Sequence, residues 1–133
     1  MLIKNLLEPK KPFFWIATIW TIIFTFMFLQ GASSLPKVNI NQIDKLFHAV
    51  FHCIFTSIWF LSFRIRNIDN LKKAFFFSIF YGILIEILQQ LLTSTRKSDL
   101  LDILANIVGA IFAFFVIRYF LINSKNIKSI KRT

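Results

Sequence analysis

Cysteine and acidic residues are scarce in this chain, which has one cysteine and six aspartates and glutamates among its 133 residues. The lone Cys53 has no partner for an internal disulfide, so a small disulfide-stabilised domain is excluded. Charged residues of both signs make up only 17% of the chain, whereas a soluble domain has about a quarter. Together with 56% hydrophobic residues, this composition excludes an ordinary soluble domain.

The chain instead contains four apolar blocks, which cover residues 13–29, 46–63, 74–92 and 103–122. A membrane-spanning helix needs about 17–25 mostly apolar residues, and in lipid such blocks satisfy their backbone hydrogen bonds as helices. We predict an all-α integral membrane protein, a four-helix bundle over residues 13–122. A cytoplasmic N-terminal segment (1–12) and a basic cytoplasmic tail (123–133) flank it. The first block exceeds the apolar core of a secretion signal, so we interpret it as a retained helix.

Basic residues are distributed unevenly between the two ends of the predicted helices. Twelve of the sixteen lie before the first helix, between the second and third, or at and beyond the end of the fourth. The positive-inside rule therefore predicts an N-in/C-in topology, with both termini and the loop between the second and third helices in the cytoplasm. Contacts with anionic lipids account for the same charges. We therefore predict membrane lipids as partners and no nucleic acid.

Polar residues recur at a spacing of four inside the apolar blocks. Asp44, His48 and His52 share one helix face, because residues four apart in a helix lie above one another. An ionisable group at membrane depth is costly and usually faces the bundle interior. We therefore predict a polar pocket that opens to the outer face. Its candidate residues are Asp44, Lys45, His48, Glu86, Gln89, Arg96, Asp99, Asp102 and Asn106.

Structural roles are an alternative for several of these side chains. Asp44 and either Asp99 or Asp102 fit helix N-caps, where aspartate is favoured. Gln89 and Asn106 fit hydrogen bonds between membrane helices. Small residues at helical spacing also predict close helix packing, and these residues are Ser78, Gly82, Ala105, Gly109 and Ala113.

Three stretches, "DKLFHAVFH", "YGILIEILQ" and "RKSDLLDILANIVGA", resemble the VanZ-like family of small membrane proteins. The positions that match the family pattern are Asp44, Lys45, His48, Phe51, Glu86, Gln89, Arg96, Asp99, Asp102, Asn106 and Gly109. The likeness covers about half the chain. Ala113 stands where the family often has a second glycine, and His52 is outside the pattern. The family's namesake is similar to accessory proteins that raise resistance to teicoplanin-type glycopeptide antibiotics, which act on the outer face at cell-wall precursors. The resemblance therefore implies a protein of the cytoplasmic (inner) membrane of a bacterium with a role at the cell envelope.

Three functions are compatible with this prediction. The first is binding of a lipid-linked or lipophilic ligand, such as a cell-wall precursor or a glycopeptide antibiotic. The second is an intramembrane hydrolase or transferase acting on a lipid head group, with Glu86 or Asp102 as acid or base and His48 as its partner. Its metal-dependent version would use His48, His52 and Glu86 as ligands. The third is a packing network or proton relay. We expect no cofactor, and the oligomeric state stays open.

Overall fold

The computed structural model describes residues 11–29, 41–63, 66–92 and 99–130, and it places them in four helices and their immediate ends. α1 spans Lys11–Leu29, α2 spans Asn41–Ser62, α3 spans Ile68–Leu92 and α4 spans Leu100–Ile130. All four are long and apolar enough to cross a membrane. The predicted all-α class with four spanning helices is therefore confirmed.

The helices extend beyond the apolar blocks at residues 46, 74, 103 and 122. α2 begins at Asn41, α3 at Ile68 and α4 at Leu100, and α4 continues to Ile130. An apolar block marks the part of a helix that suits hydrocarbon, whereas the helix itself continues as long as its backbone bonds are made. Asn67 marks the start of α3, because its Oδ1 accepts a hydrogen bond from the Asn70 N–H at 2.9 Å.

α2 is the central helix and lies against each of the other three. Its closest approach is to α4, where a Cβ added to Gly109 would overlap the carbonyl oxygen of Ala49. Gly109 thus allows the two backbones to approach in the way that small residues permit in membranes. Ala110 and Ala113 are also buried. Ala105 is half-buried.

α1 attaches to the bundle mainly through aromatic side chains. Phe24 and Phe28 pack against Phe51 of α2, and Trp20 stacks parallel to the same ring at 5.6 Å between centroids. A hydrogen bond of 2.9 Å joins the hydroxyls of Thr25 on α1 and Tyr81 on α3. These contacts of α1 are therefore made by side chains, whereas α2 and α4 approach each other backbone to backbone at Gly109.

The distribution of polarity is the reverse of that in a soluble domain. The buried side chains include His48, His52, Glu86 and Asn106, none of them more than 1% exposed. The exposed side chains include many large apolar ones, especially along α1 and α4. A bilayer solvates such a surface, while buried polar groups need partners inside the bundle. The polar interior is therefore the feature of the fold that requires an explanation.

Candidate functional site

His48 of α2 is at the centre of the buried polar groups. Its ring is fully buried, and Nδ1 lies 3.0 Å from Oδ1 of Asn106 on α4. The same nitrogen lies 3.6 Å from Oε1 of Glu86 on α3. Side chains from three helices therefore meet at Nδ1 of His48, although these residues are separated by up to 58 positions in sequence.

A second set of contacts leads from His48 toward the end of the bundle. Its Nε2 lies 3.8 Å from Oδ2 of Asp102, and Oδ1 of Asp102 lies 3.8 Å from Nζ of Lys45. Lys45 in turn lies 3.3 Å from Oδ2 of Asp99. We call His48, Glu86, Asp102 and Asn106, together with Lys45 and Asp99, the polar cluster.

Exposure rises steadily along this series of contacts. The side chain of His48 is inaccessible, that of Asp102 is 11% exposed, that of Lys45 30% and that of Asp99 44%. Lys45 lies near the start of α2 and Asp99 immediately before the start of α4. The polar cluster is therefore closed in the bundle interior and accessible at one end of the bundle.

Asp99 has two structural roles at this accessible end. Its Oδ1 accepts a hydrogen bond from the Leu101 N–H at 2.9 Å, as an N-cap does. That bond, and secondly the ammonium of Lys45, hold the pKa of Asp99 below its ordinary value. A lowered pKa means that this stabilising contribution is present at neutral pH and is lost as the pH falls through the folded-state pKa. The N-cap prediction is confirmed for Asp99, whereas Asp44 lies within the first turn of α2.

His52 does not join the polar cluster, although it follows His48 by one turn. Its Nδ1 lies 2.9 Å from Oγ of Ser78 on α3. Gly82 lies close to both His52 and Asn106. A Cβ added at Gly82 would be 2.9 Å from Cε1 of His52 and 3.1 Å from Cβ of Asn106. Gly82 therefore lets both side chains approach α3.

Gln89 connects the cluster region to α1. Its Nε2 donates a hydrogen bond of 2.9 Å to the carbonyl oxygen of Phe28, near the C-terminal end of α1. The last carbonyls of a helix have no partner within the helix, so this bond satisfies one of them. Gln89 is buried whereas the neighbouring Gln90 is exposed. Arg96, also a candidate residue, lies outside the described residues.

The grouping of possible metal ligands differs from the predicted one. Within the described part of the chain, ligand atoms of Asp44, His48 and Asp102 lie within 4.8 Å of one another, and neither His52 nor Glu86 belongs to this group. The alternative of His48, His52 and Glu86 is not assembled, because His52 is held against Ser78 one turn away. The observed triplet was not predicted from the sequence, although the spacing of four between Asp44 and His48 was a usable signal.

The contacts permit two kinds of chemistry. An imidazole with a carboxylate near each nitrogen can exchange a proton with either one or bind a cation between them. Amide and carboxylate groups at fixed positions can also form directed hydrogen bonds with a ligand.

A protein-family model described as VanZ/LLP1 matches residues 5–122 of the chain. The match covers all four helices up to the last turns of α4. No curated protein and no solved structure matches the chain.

Proposed function

The chain belongs to the VanZ/LLP1 family of integral membrane proteins, and on this basis we propose that its polar cluster is a ligand-binding site at the cell envelope. The site opens to the outer face of the bacterial cytoplasmic membrane. Its ligand is a lipid-linked or lipophilic molecule, such as a cell-wall precursor or a glycopeptide antibiotic of the teicoplanin type.

The burial of His48 among polar partners from two other helices is the observation that carries this proposal. Polar and ionisable groups inside a membrane are costly, and they commonly mark pathways or binding sites. A bundle that only has to pack can be built from small and apolar residues, as the Gly109–Ala49 contact illustrates. Among the described residues, the buried atoms Nε2 of His48 and Nδ2 of Asn106 have no hydrogen-bond partner. Both atoms are therefore available to a ligand.

The distribution of charge supports an outward-facing site. Twelve of sixteen basic residues fall on the side predicted to be cytoplasmic, and the accessible end of the polar cluster falls on the other side. A ligand in the outer leaflet would meet Lys45 and Asp99 first, because these two side chains are the most exposed of the cluster.

The described charges also restrict the chemistry of the ligand. Acidic groups predominate over the single lysine, and Lys45 is already paired with Asp99 at 3.3 Å. Carboxylates accept hydrogen bonds strongly from amino and hydroxyl groups. The cluster therefore favours a ligand with amino or hydroxyl donors, and a phosphate or carboxylate group would bind by replacing Asp99 beside Lys45.

We expect this chain to raise the teicoplanin concentration that a susceptible Gram-positive host tolerates, and we expect Glu86→Gln to abolish the effect. The substitution keeps the shape of the side chain but removes the carboxyl group beside His48. Asn106→Ala, which removes the acceptor for His48, should have the same outcome. The measurement is the minimum inhibitory concentration at membrane abundances matched by immunoblot.

Asp69→Asn is the matched control for this assay. Asp69 is an exposed acid in the first turn of α3, at the opposite end of that helix from Glu86. Protection by Asp69→Asn but not by Glu86→Gln would support the proposal. Equal protection by all variants would contradict it, because the carboxylate of Glu86 would then have only a structural role.

The placement of His48 between two carboxylates favours an intramembrane acid–base enzyme as the second candidate. Glu86 and Asp102 lie 3.6 and 3.8 Å from its two ring nitrogens, so the imidazole can pass a proton from one side to the other. Such an enzyme would cleave or transfer a lipid head group. Release of a labelled head group in proteoliposomes, lost in His48→Gln and retained in Asp69→Asn, would favour this candidate.

A further inference from the structure

The contact with Asn106 favours a proton on Nδ1 of His48. Nδ1 lies 3.0 Å from the amide oxygen Oδ1, which can only accept a hydrogen bond. With the amide in this orientation, Nδ1 is the protonated nitrogen of the neutral ring. Its Nε2 then presents a lone pair, and that lone pair faces Oδ2 of Asp102 at 3.8 Å.

This arrangement places two electron-rich atoms opposite each other in a buried site. Nε2 of His48 has no hydrogen-bond partner among the described residues, and the ring is fully buried. A buried acceptor without a partner is destabilising, and a nearby carboxylate increases that cost in a medium of low dielectric constant. A proton or a metal cation between Nε2 and Asp102 would remove the conflict.

Asp44 completes a set of three ligands around this position. One oxygen of Asp44, one nitrogen of His48 and one oxygen of Asp102 lie within 4.8 Å of one another. We propose that Asp44, His48 and Asp102 bind a divalent transition-metal ion, with Asn106 as the positioning residue that orients the His48 ring. An imidazole held by a hydrogen bond from its other nitrogen is the usual arrangement of a metal-binding histidine.

The donor set indicates the class of metal. Imidazole suits zinc and other transition metals better than magnesium or calcium, and carboxylates are accepted by all of them. Metal–ligand bonds of about 2.0–2.2 Å place the ligand atoms of a tetrahedral zinc site about 3.4 Å apart. The ligand atoms lie within 4.8 Å of one another, so binding zinc would require them to approach by side-chain rotation. Zinc sites with three protein ligands leave a fourth position open to water or substrate.

Lys45 does not prevent this site from forming. Its Nζ lies nearer to Asp99 than to Asp102, at 3.3 Å against 3.8 Å, so it keeps one carboxylate partner when Asp102 turns toward the metal. The inference is independent of the ligand under the proposed function, because it concerns only the affinity of the chain for the ion. It also departs from the expectation that no cofactor is needed.

The test uses the full chain in nanodiscs, with any affinity tag removed and metals stripped by a chelator. Zinc alone is titrated by calorimetry, and the bound ion is counted by elemental analysis after dialysis. We expect a single saturable site per chain, and weakening by about tenfold or more in Asp102→Asn and in Asp44→Asn. Asp69→Asn is the matched control, because it removes an equal charge from an exposed residue outside both the ligand set and the polar cluster. Its affinity should stay within about threefold of wild type.

Cobalt(II) provides a second readout that does not depend on the variants. Its visible absorption should report a site of low coordination number in wild type, and zinc should displace it. The proposal is overturned if wild type shows no saturable zinc site, or if all three variants bind zinc as wild type does. It is equally overturned if Asp69→Asn weakens binding as much as Asp102→Asn, since general charge attraction would then explain the result.

Discussion

Gly109→Ala should destabilise the protein by about 2 kcal/mol or more, although alanine is the better helix former. The added Cβ overlaps the carbonyl oxygen of Ala49, and a backbone atom of a neighbouring helix cannot move aside alone. Inside a helix, alanine is about 1 kcal/mol more favourable than glycine. Overpacking a close contact, however, typically destabilises a protein by about 1–3 kcal/mol and occasionally more. The steric cost therefore exceeds the gain in helix propensity.

The same substitution should also impair the site. Ala49 follows His48 in sequence, so moving α2 away from α4 lengthens the 3.0 Å contact between His48 and Asn106. Stability is measured by titrating the purified chain with sodium dodecyl sulfate and recording its helicity. Val108→Ala is the control, because Val108 adjoins Gly109 but is 60% exposed. Equal unfolding midpoints for Gly109→Ala and Val108→Ala would show that the α2–α4 contact does not set the stability.

Removing either partner of the His48–Asn106 contact should cost about 2 kcal/mol, whereas removing both should cost less than the sum. His48→Leu leaves the buried amide oxygen of Asn106 without its partner, and an unsatisfied buried group costs about 1–3 kcal/mol. Replacing both partners by apolar groups can be nearly neutral. The measurement is a double-mutant cycle of unfolding free energies over His48→Leu, Asn106→Leu and the double variant.

Protection of the host against teicoplanin distinguishes a packing role of the His48–Asn106 contact from a role in ligand binding. A packing network would retain protection against teicoplanin once the double variant regained stability, whereas a binding site would lose it in all three variants. Ser78→Ala serves as the control, because Ser78 is a buried polar residue whose contact is with His52 instead. A double variant that is stable and still protects the host would contradict the proposed site.

The fold class could be predicted because a segment that crosses a membrane must be about 20 residues long, mostly apolar and helical. Four apolar blocks of that length predicted four helices, and the described residues form four helices. The helix ends lie beyond the blocks, where that requirement no longer applies. The first turns of α2 and α3 contain Asp44 and Asp69, charged residues that no apolar block includes.

The site was only partly predictable, for a geometric reason. The spacing of four placed Asp44, His48 and His52 on one face of α2, and His48 and His52 are indeed both buried. Periodicity within one helix cannot give the rotation and depth of the next helix. The sequence therefore did not reveal that His52 contacts Ser78, whereas His48 contacts Asn106 and Glu86.

The close-packing residues illustrate the same limit. Small residues at helical spacing indicated that helices approach each other near Gly82 and Gly109, and an added Cβ at either position meets a neighbouring helix. The identity of the contacted group, a backbone carbonyl for Gly109 and a side chain for Gly82, depends on packing across the bundle. The sequence thus predicted which residues are close to another helix, but not which residue each of them meets.

The orientation of the accessible end is tested most directly by labelling single cysteines in intact Gram-positive cells. Asp99→Cys and Asp69→Cys are made in a Cys53→Ser background and treated with a membrane-impermeant maleimide. These positions lie at opposite ends of the bundle, before α4 and at the start of α3. If the polar cluster opens to the outer face, Asp99→Cys is labelled in intact cells and Asp69→Cys only after permeabilisation. The reverse pattern would place the cluster at the cytoplasmic face and contradict the proposed site at the cell envelope.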